Sequence, residues 1–327
     1  VTTVDVVIPC YCYGRFLKEC VESVTSQDDV DVRVLIIDDA SPDNSAQIAK
    51  ELARQDNRVE FRQHGTNQGH IETYNEGIAW ARSDLFLLLS ADDYLAPGAL
   101  SRAARLIAAT PGMSFAFGNA ILIYDDGSRV AREPFGDALR DRTAVLSCID
   151  FVKAMKGRNI VPTPTAVVKT AAQKSVGGYS HKLPHAGDMA MWLNLAAEGS
   201  VGFIGSAQAI YRMHSRNMSH SYSSARLPDI EQRYAAIAHF LARNASSQHH
   251  TDRLAAILLR DLAGNASAQA AAAFDEGEKE ISRKLSELAK ELYPGICYSA
   301  PWFRLQLHKA IGQQGWRLLR AAFGGDR

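Results

Sequence analysis

The chain has 327 residues, 46% hydrophobic and 22% charged, a globular composition with room for one large α/β domain plus an appendage. Its 36 Lys and Arg offset 36 Asp and Glu, so no global basic excess points to nucleic acid, and no apolar run approaches the ~20 residues that cross a bilayer. The balance is uneven, because residues 1–100 carry 8 basic and 17 acidic side chains, and an acidic half that holds an anionic ligand needs a cation as intermediary.

Along the first 110 residues two textures alternate. β-rich runs stand at 4–9 (VDVVIP), 32–38 (VRVLIID), 59–63 (VEFRQ) and 85–90 (LFLLLS), and helix-period stretches at 15–26, 44–55, 70–82 and 97–109. Strand and helix at this spacing predict βαβ units around a parallel sheet covered on both faces. SPDNS (41–45) offers turn and N-cap chemistry, and Pro97 is expected in the first turn of the fourth helix. After residue 113, SFAFGNAILIYDDGSRV reads as two strands around a turn. Pro-punctuated VPTPTAVVKT (161–170) and GGYS come next, then helix-like DMAMWLNLAAEG (188–199) and two short strands, VGFIG and QAIYRMH. From about 225 the pattern is helical throughout, which puts a boundary near 224: a first domain over 1–224, with halves 1–112 and 113–224, and a helical extension over 225–327.

Five cysteines (10, 12, 20, 148, 297) at irregular spacing form no C-x-x-C pair and read as reduced thiols. The N-terminus enters a strand pattern without a signal-peptide texture. Together these predict a cytoplasmic protein, at most peripheral to a membrane. The last thirty residues hold two Trp, two Phe and five Arg or Lys against one acid. That mixture suits either an anionic membrane surface or packing against protein, including a second copy.

In an open parallel sheet, ligands bind beyond the C-terminal strand ends. Three of the four early strands end in polar residues there: Pro9-Cys10-Tyr11, Asp38-Asp39 and Asp92-Asp93. Acids after strands are often only turn formers, but two pairs at one edge argue for a site. The first turn, PCYCYGRF, is no G-x-G-x-x-G cradle, and the chain has no G-x-x-x-x-G-K-[ST] loop, which disfavours dinucleotide and P-loop readings. Carboxylates without a glycine cradle suit Mg2+ or Mn2+ carrying a diphosphate.

The segments VVIPCY (6–11), IIDDASPDNS (36–45), NQGHIETYNEGI (67–78), LSADDY (89–94), GDMAMWLNLAAEG (187–199) and YRMHSRNMS (211–219) together resemble family 2 glycosyltransferases. These are inverting, nucleotide-sugar-dependent enzymes of GT-A fold. The resemblance spans residues 4 to about 220. It implies that Pro9, Cys10 and Tyr11 pack along the nucleobase and that Asp39, with Asp38 adjacent, accepts a uracil-type N3–H. Asn67 and Gly69 would line base and ribose. The D-x-D-type motif falls on Ser90-Ala91-Asp92-Asp93. There Asp92 would touch the ribose or a metal-bound water, and Asp93 would ligate Mn2+ or Mg2+. Relatives often have a third acid where this chain has Ser90, and an Asn where it has Cys12.

GDMAMW resembles the family's E-D-x-x-x-W motif and makes Asp188 the general base, with Gly187 in place of the Glu. Asp188 also reads as a helix N-cap. Trp192 suits the acceptor or sugar pocket, or the core, and His185 the acceptor side, or plain surface. His214 resembles the Arg-x-His segment over the diphosphate, as third metal ligand or phosphate donor. Arg212 would pair with phosphate or a local acid, and Ser215–Ser219 has the polar character of a lid. The expected function is metal-dependent transfer of a sugar from a nucleoside diphosphate sugar to a glycan or lipid-linked acceptor in bacterial surface polysaccharide assembly. A nucleotidyltransferase and an inactive nucleotide-sugar-binding scaffold are the alternatives.

Overall fold

The computed structural model describes residues 1–214, 217, 225–245 and 248–323, excluding the side chains of 248–250, 301, 313, 314 and 316–323. Of the segment expected as a lid, only Asn217 is among the described residues, and the boundary expected at 224 lies outside them. The chain forms two compact units, Val1–Phe151 with Ile160–Asn217, and Val152–Asn159 with Met218–Arg327.

The first unit opens with β1 (Thr2–Cys10), α1 (Gly14–Thr25), β2 (Val30–Asp38), α2 (Ser45–Gln55), β3 (Val59–Gln63), α3 (His70–Trp80), β4 (Leu85–Leu88), the short β5 (Tyr94–Leu95) and α4 (Ala99–Ala109). Val4 to Ile8 and all of β4 are buried, as strands covered on both faces must be, which is why they read as unbroken apolar runs. Helix α1 instead buries Leu17, Cys20, Val21 and Val24, one stripe at helical spacing. At α2 the N-cap Asn44 makes no side-chain cap bond, and Asp43, one residue earlier, accepts from both N and Oγ of Ser45 through its Oδ1. Pro97 lies outside α4, whose N-cap is Gly98 in the left-handed region.

The second half supplies β6 (Met113–Tyr124), β7 (Arg129–Arg132), β8 (Thr143–Leu146), α5 (Cys148–Met155), β9 (Val167–Lys169), α6 (Thr170–Val176), α7 (Gly187–Glu198) and β10 (Ser200–Met213). The sheet order is β3-β2-β1-β4-β9-β6-β10-β5, with β7 on β6 and β8 on β10. Pairings among β1 to β4 are parallel, β6 and β10 are also parallel, and β9 joins the halves antiparallel. Strand β1 lies between β2 and β4, so the strand order reverses there and its C-terminal end is the crevice where ligands of such sheets bind. VGFIG and QAIYRMH are one 14-residue strand rather than two. Register shifts between Ile204 and Ala209 absorb the break, and Gly205 is held by Arg142 O, Asp141 N and the Asn119 amide.

The second unit contains α8 (Arg226–Arg243), α9 (Gln248–Asp275), α10 (Lys279–Leu292) and α11 (Ala300–Phe323), the last interrupted at Gly312. Ile230, Ile237, Phe240, Leu258, Leu262, Leu285 and Leu305 are among its fully buried side chains. Residues 152–159 belong to it through Arg233 donating to Gly157 O (3.1 Å) and Asn265 donating to Lys156 O (2.9 Å). Tyr298, Phe303 and Leu307 are exposed. No helix among the described residues is long and apolar enough to cross a membrane.

Strand β4 is anchored at its entrance by Asp5, which is wholly buried. Its carboxylate accepts from Arg82 N (2.6 Å), Ser83 N (2.8 Å) and Ser83 Oγ (2.7 Å), and faces Arg33 Nε at 3.1 Å. Asp5→Ala strands these donors, and the expected loss is about 3 kcal/mol or more in denaturant unfolding of the first unit. A loss under about 0.5 kcal/mol would show that the anchor is dispensable.

Candidate functional site

Backbone hydrogen bonds draw three loops to the end of β1. Asp39 N donates to Cys10 O (2.9 Å) on one side, and Leu89 N to Val7 O (2.9 Å) and Ala91 N to Pro9 O (3.3 Å) on the other. Tyr11, 46% exposed, presents a free aromatic surface there. The Cys10 thiol faces inward, and burial pushes its pKa up to about 12. Asp39 differs from expectation. Its Oδ1 accepts from Gln68 N (2.7 Å) and meets His64 Nδ1 (2.7 Å), and its Oδ2 accepts from Gly69 N (2.8 Å). The carboxylate therefore pins the loop at the start of α3, where Gly69 takes φ 85° and Asn67 Oδ1 also accepts its N–H. Burial alone would depress the His64 pKa, but hydrogen bonds to Asp39 and Glu76 raise it above its ordinary value. The unsatisfied acid is Asp38. Its Oδ2 accepts from Ser41 N (3.1 Å), and its Oδ1 is buried with no partner.

Asp92 and Asp93 follow β4 and are 4% and 3% exposed. Ser90 O accepts the Asp93 N–H, closing the turn that holds them, and Ala91 is fully buried beneath. Asp92 Oδ2 meets His214 Nε2 (3.1 Å) and accepts a longer bond from Asn217 Nδ2 (3.4 Å), and Tyr13 also donates to its carboxylate. Asp93 Oδ1 accepts from Arg212 N (3.0 Å), and its Oδ2 has no hydrogen-bond partner among the described residues. Burial, then the charge of Asp92, raises the Asp93 pKa well above the usual carboxylate range. Arg212 turns its guanidinium away from both carboxylates. It donates to Asp92 O and to Glu19, between the rings of Phe16 and Tyr94 (both 4.7 Å), so its partner is the local acid. His214 stacks on Phe16 (5.8 Å, 14°) and holds Asp92.

A cation suits this donor set. Two adjacent buried acids, one with an open oxygen and a raised pKa, are stabilised by positive charge. The described residues contain no cluster of three His, Cys, Asp or Glu that would complete a protein cage.

The third acid, Asp188, stands in the first turn of α7, inside the N-cap Ala186, and so is not the cap. Its carboxylate accepts from Thr163 Oγ1 (2.8 Å) and from the Tyr179 hydroxyl. Burial raises its pKa, and those two donors, then His70 and His185, partly oppose the rise. His185 thus faces Asp188 electrostatically. Trp192, also proposed for the acceptor pocket, is in the core instead: it is 3% exposed and stacked on Phe115 (5.6 Å, 29°). Four residues along α7 from Asp188 is one turn, but the helix is buried along its whole middle, so that turn points into the sheet.

Two tyrosines near the acids were not singled out by the motifs. Tyr74, inside the 67–78 segment, is within electrostatic range of both Asp188 and Asp92, and its ring meets Tyr179 edge-on (5.2 Å, 71°). A Cβ at Gly187 would stand 3.1 Å from Cδ1 of Tyr179, so the ring that serves Asp188 occupies the space a larger side chain would need. GGYS was visible as a turn, but a tyrosine eight residues before the helix has no spacing that ties it to Asp188.

Residues 5–133 match the Glycosyl transferase family 2 model, and relatives in Streptococcus pneumoniae and Bacillus subtilis are named glycosyltransferases. The front of the first unit is thus similar to glycosyltransferase family 2. Glycosyltransferase GlyG of Streptococcus pneumoniae is 33% identical over 90 residues, 28% of this chain and 30% of GlyG. The GalNAc(5)-diNAcBac-PP-undecaprenol beta-1,3-glucosyltransferase of Campylobacter jejuni is 28% identical over 151 residues, 46% of this chain and 47% of that protein. The matched stretch is therefore less than half the length of either relative. The chain shares its fold with S. aureus TarS 1–349 in complex with UDP, at TM-score 0.60, 15% identity and coverage of 90% and 91%. It shares it too with mannosyltransferase PcManGT of Pyrobaculum calidifontis in complex with GDP-Man and Mn2+, at TM-score 0.53, 15% identity and coverage of 99% and 88%. The GT-A fold expected from sequence is the one observed.

Two titrations test the electrostatics. The folded chain holds the Asp93 proton more tightly than an unfolded aspartate of pKa about 3.9 does, so stability is lost as pH rises from that value through the raised one. Asp93→Asn keeps an oxygen for Arg212 N and cannot ionise. In metal-free buffer its melting temperature should equal wild type near pH ~4 and exceed it increasingly toward pH ~8, by calorimetry. A variant less stable at the upper end would refute the repulsion. For Asp188, a hydroxyl donor favours the ionised form, so Tyr179→Phe should push the carboxyl pKa further up. The carboxyl 13C titration reads this directly, and an unmoved midpoint would mean that the Tyr179 hydroxyl does not serve Asp188.

Proposed function

We propose that this chain is an inverting, metal-dependent glycosyltransferase that moves a hexosyl or N-acetylhexosaminyl group from a nucleoside diphosphate sugar, preferably a UDP-sugar, to a hydroxyl acceptor. The observation that carries the reading is the presence in one unit of two unlike acidic centres, the buried Asp92-Asp93 pair at the strand-order reversal and the single Asp188 held by Thr163 in the first turn of α7.

On the donor side, Tyr11 offers its ring to the base, and the unpartnered Asp38 Oδ1 suits an imide N–H such as that of uracil, which thymine shares. Asp39, through the loop at 67–69, fixes the wall beside it. Asp93, with Asp92, would hold Mn2+ or Mg2+, which supplies positive charge opposite the leaving diphosphate. On the acceptor side, Asp188 takes the proton of the acceptor hydroxyl as its oxygen bonds to C1 of the sugar. The bond from C1 to the diphosphate oxygen breaks on the far face, and the electron pair leaves with the diphosphate. One carboxylate, Asp188, acting as base suits a single displacement, hence inversion. A raised pKa suits a base near neutral pH, and the acid limb of the rate should sit above the ordinary carboxylate range.

The relative from Campylobacter jejuni is named for an undecaprenol-linked acceptor, which supports a lipid-linked glycan in bacterial surface polysaccharide assembly, at the cytoplasmic face of the membrane. Exposed Tyr298, Phe303 and Leu307 suit either peripheral contact with that membrane or a second copy of the chain.

The test is incubation with a panel of nucleotide sugars and Mn2+ or Mg2+. Slow release of free nucleoside diphosphate should depend on metal and vanish in Asp93→Ala. With an acceptor found, Asp188→Asn should bind donor normally by calorimetry yet lose at least about 10²-fold in transfer. Near-normal transfer by that variant would sink the assignment of the base, and absence of turnover with every donor and acceptor would sink the enzyme itself.

A further inference from the structure

Arg132 closes strand β7 opposite Ala120, two residues along β6 from Gly118, whose N–H donates to Thr165 in the same short turn as the Thr163 that holds Asp188. The Arg132 Cα pairs with Ala120 on β6, and Ala120 pairs with Ala209 on β10, so the three share one face of the sheet. Tyr211, two residues beyond Ala209, lies on that face too, with no register shift between them. Tyr211 pairs with Leu122, the next pair along that face, so it stands diagonal to Arg132 with the small Ala120 and Ala209 beside them. Asp188 is the carboxylate whose charge acts on Arg132. Its guanidinium is removed from bulk water far enough for burial to lower its pKa. Yet it has no hydrogen bond and no ion pair among the described residues, whereas Arg33, Arg62, Arg140, Arg212 and Arg226 of the same chain all have acid partners.

A desolvated guanidinium without a partner is costly to keep, and its planar fork matches an oxyanion such as phosphate or carboxylate. We propose that Arg132 is an anion subsite for the acceptor, so that the molecule receiving the sugar carries a phosphate or carboxylate close to the attacking hydroxyl. This rests on the glycosyltransferase reading above and names the acceptor's chemistry. The subsite also explains how Asp188 tolerates an anionic acceptor. Arg132 offsets a charge that would otherwise repel the base and raise its pKa further.

The experiment is titration of 15N-arginine-labelled protein, with the Arg132 Nε–H resonance assigned by its loss in Arg132→Met. sn-Glycerol 3-phosphate and D-glucuronate stand for the two anion types, glycerol and D-glucose are the neutral controls, and UDP with Mn2+ occupies the donor side. With UDP bound, the resonance should move on adding either anion and stay still with the neutral probes, and the preferred anion identifies a phosphate-bearing or an acidic-sugar acceptor. Arg132→Met should weaken that probe at least ~10-fold, and Arg132→Lys, which keeps the charge without the fork, by less. Two results overturn the subsite: no response to either anion, or a response saturated by UDP alone, which would assign the cation to the donor diphosphate. Failure of UDP to bind at all would instead strike at the glycosyltransferase reading, and the anion titration would still decide Arg132.

Discussion

The repulsion between Asp92 and Asp93, both almost wholly withdrawn from water, constrains everything built around them. A strand buried on both faces delivers them, Pro9 O and Ser90 O fix the turn they stand on, and the surrounding donors satisfy them only in part. His214, Tyr13 and Asn217 go to Asp92, while Asp93 receives one backbone N–H. The nearest full positive charge, Arg212, is committed to Glu19 and a carbonyl. The chain thus keeps a deficit of positive charge at the one place where a sheet of this topology receives ligands.

How much of this was legible depends on range. The four early strands and their helices could be read because a doubly covered strand is an unbroken apolar run and a half-covered helix is a stripe. The acids at the strand ends were legible for the same reason, since the strand predicts where its own end points. Partners were not. Asp39 looked like an open acceptor, but its oxygens belong to a loop about thirty residues away, and only the fold brings Gln68 and Gly69 under it. Trp192 has the right spacing from Asp188, but which side of α7 meets the sheet is a tertiary fact. Tyr74, Tyr179 and Arg132 come from a helix, a turn and an edge strand with no motif in common. VGFIG and QAIYRMH looked separate because a bulge interrupts the alternation without ending the strand.

The acids also divide by the kind of compensation they receive. Asp39 is met by two backbone N–H groups and a histidine, which makes it part of the loop's scaffold. Asp188 has two hydroxyls, enough to orient it but too few to cancel the cost of burial, so its affinity for a proton stays high. Asp93 and Asp188 thus both hold a proton above the usual carboxylate range for different local reasons, and in the proposed reaction only the base needs to exchange its proton.

Strand β10 gives the molecule a mechanical property. It is a single beam whose first part is bonded to β8 and whose last part bears on β5, and the residue after Tyr211 donates its N–H to Asp93. A displacement of the acceptor-side edge therefore travels along one continuous backbone to the acid of the donor side, with no hinge other than the bulge near Gly205. The two halves are not interchangeable modules. Any change that shifts β10 along its length also resets the seat of Asp93, so in the proposed reaction selectivity for the receiving molecule and charge balance at the departing one would be inherited together.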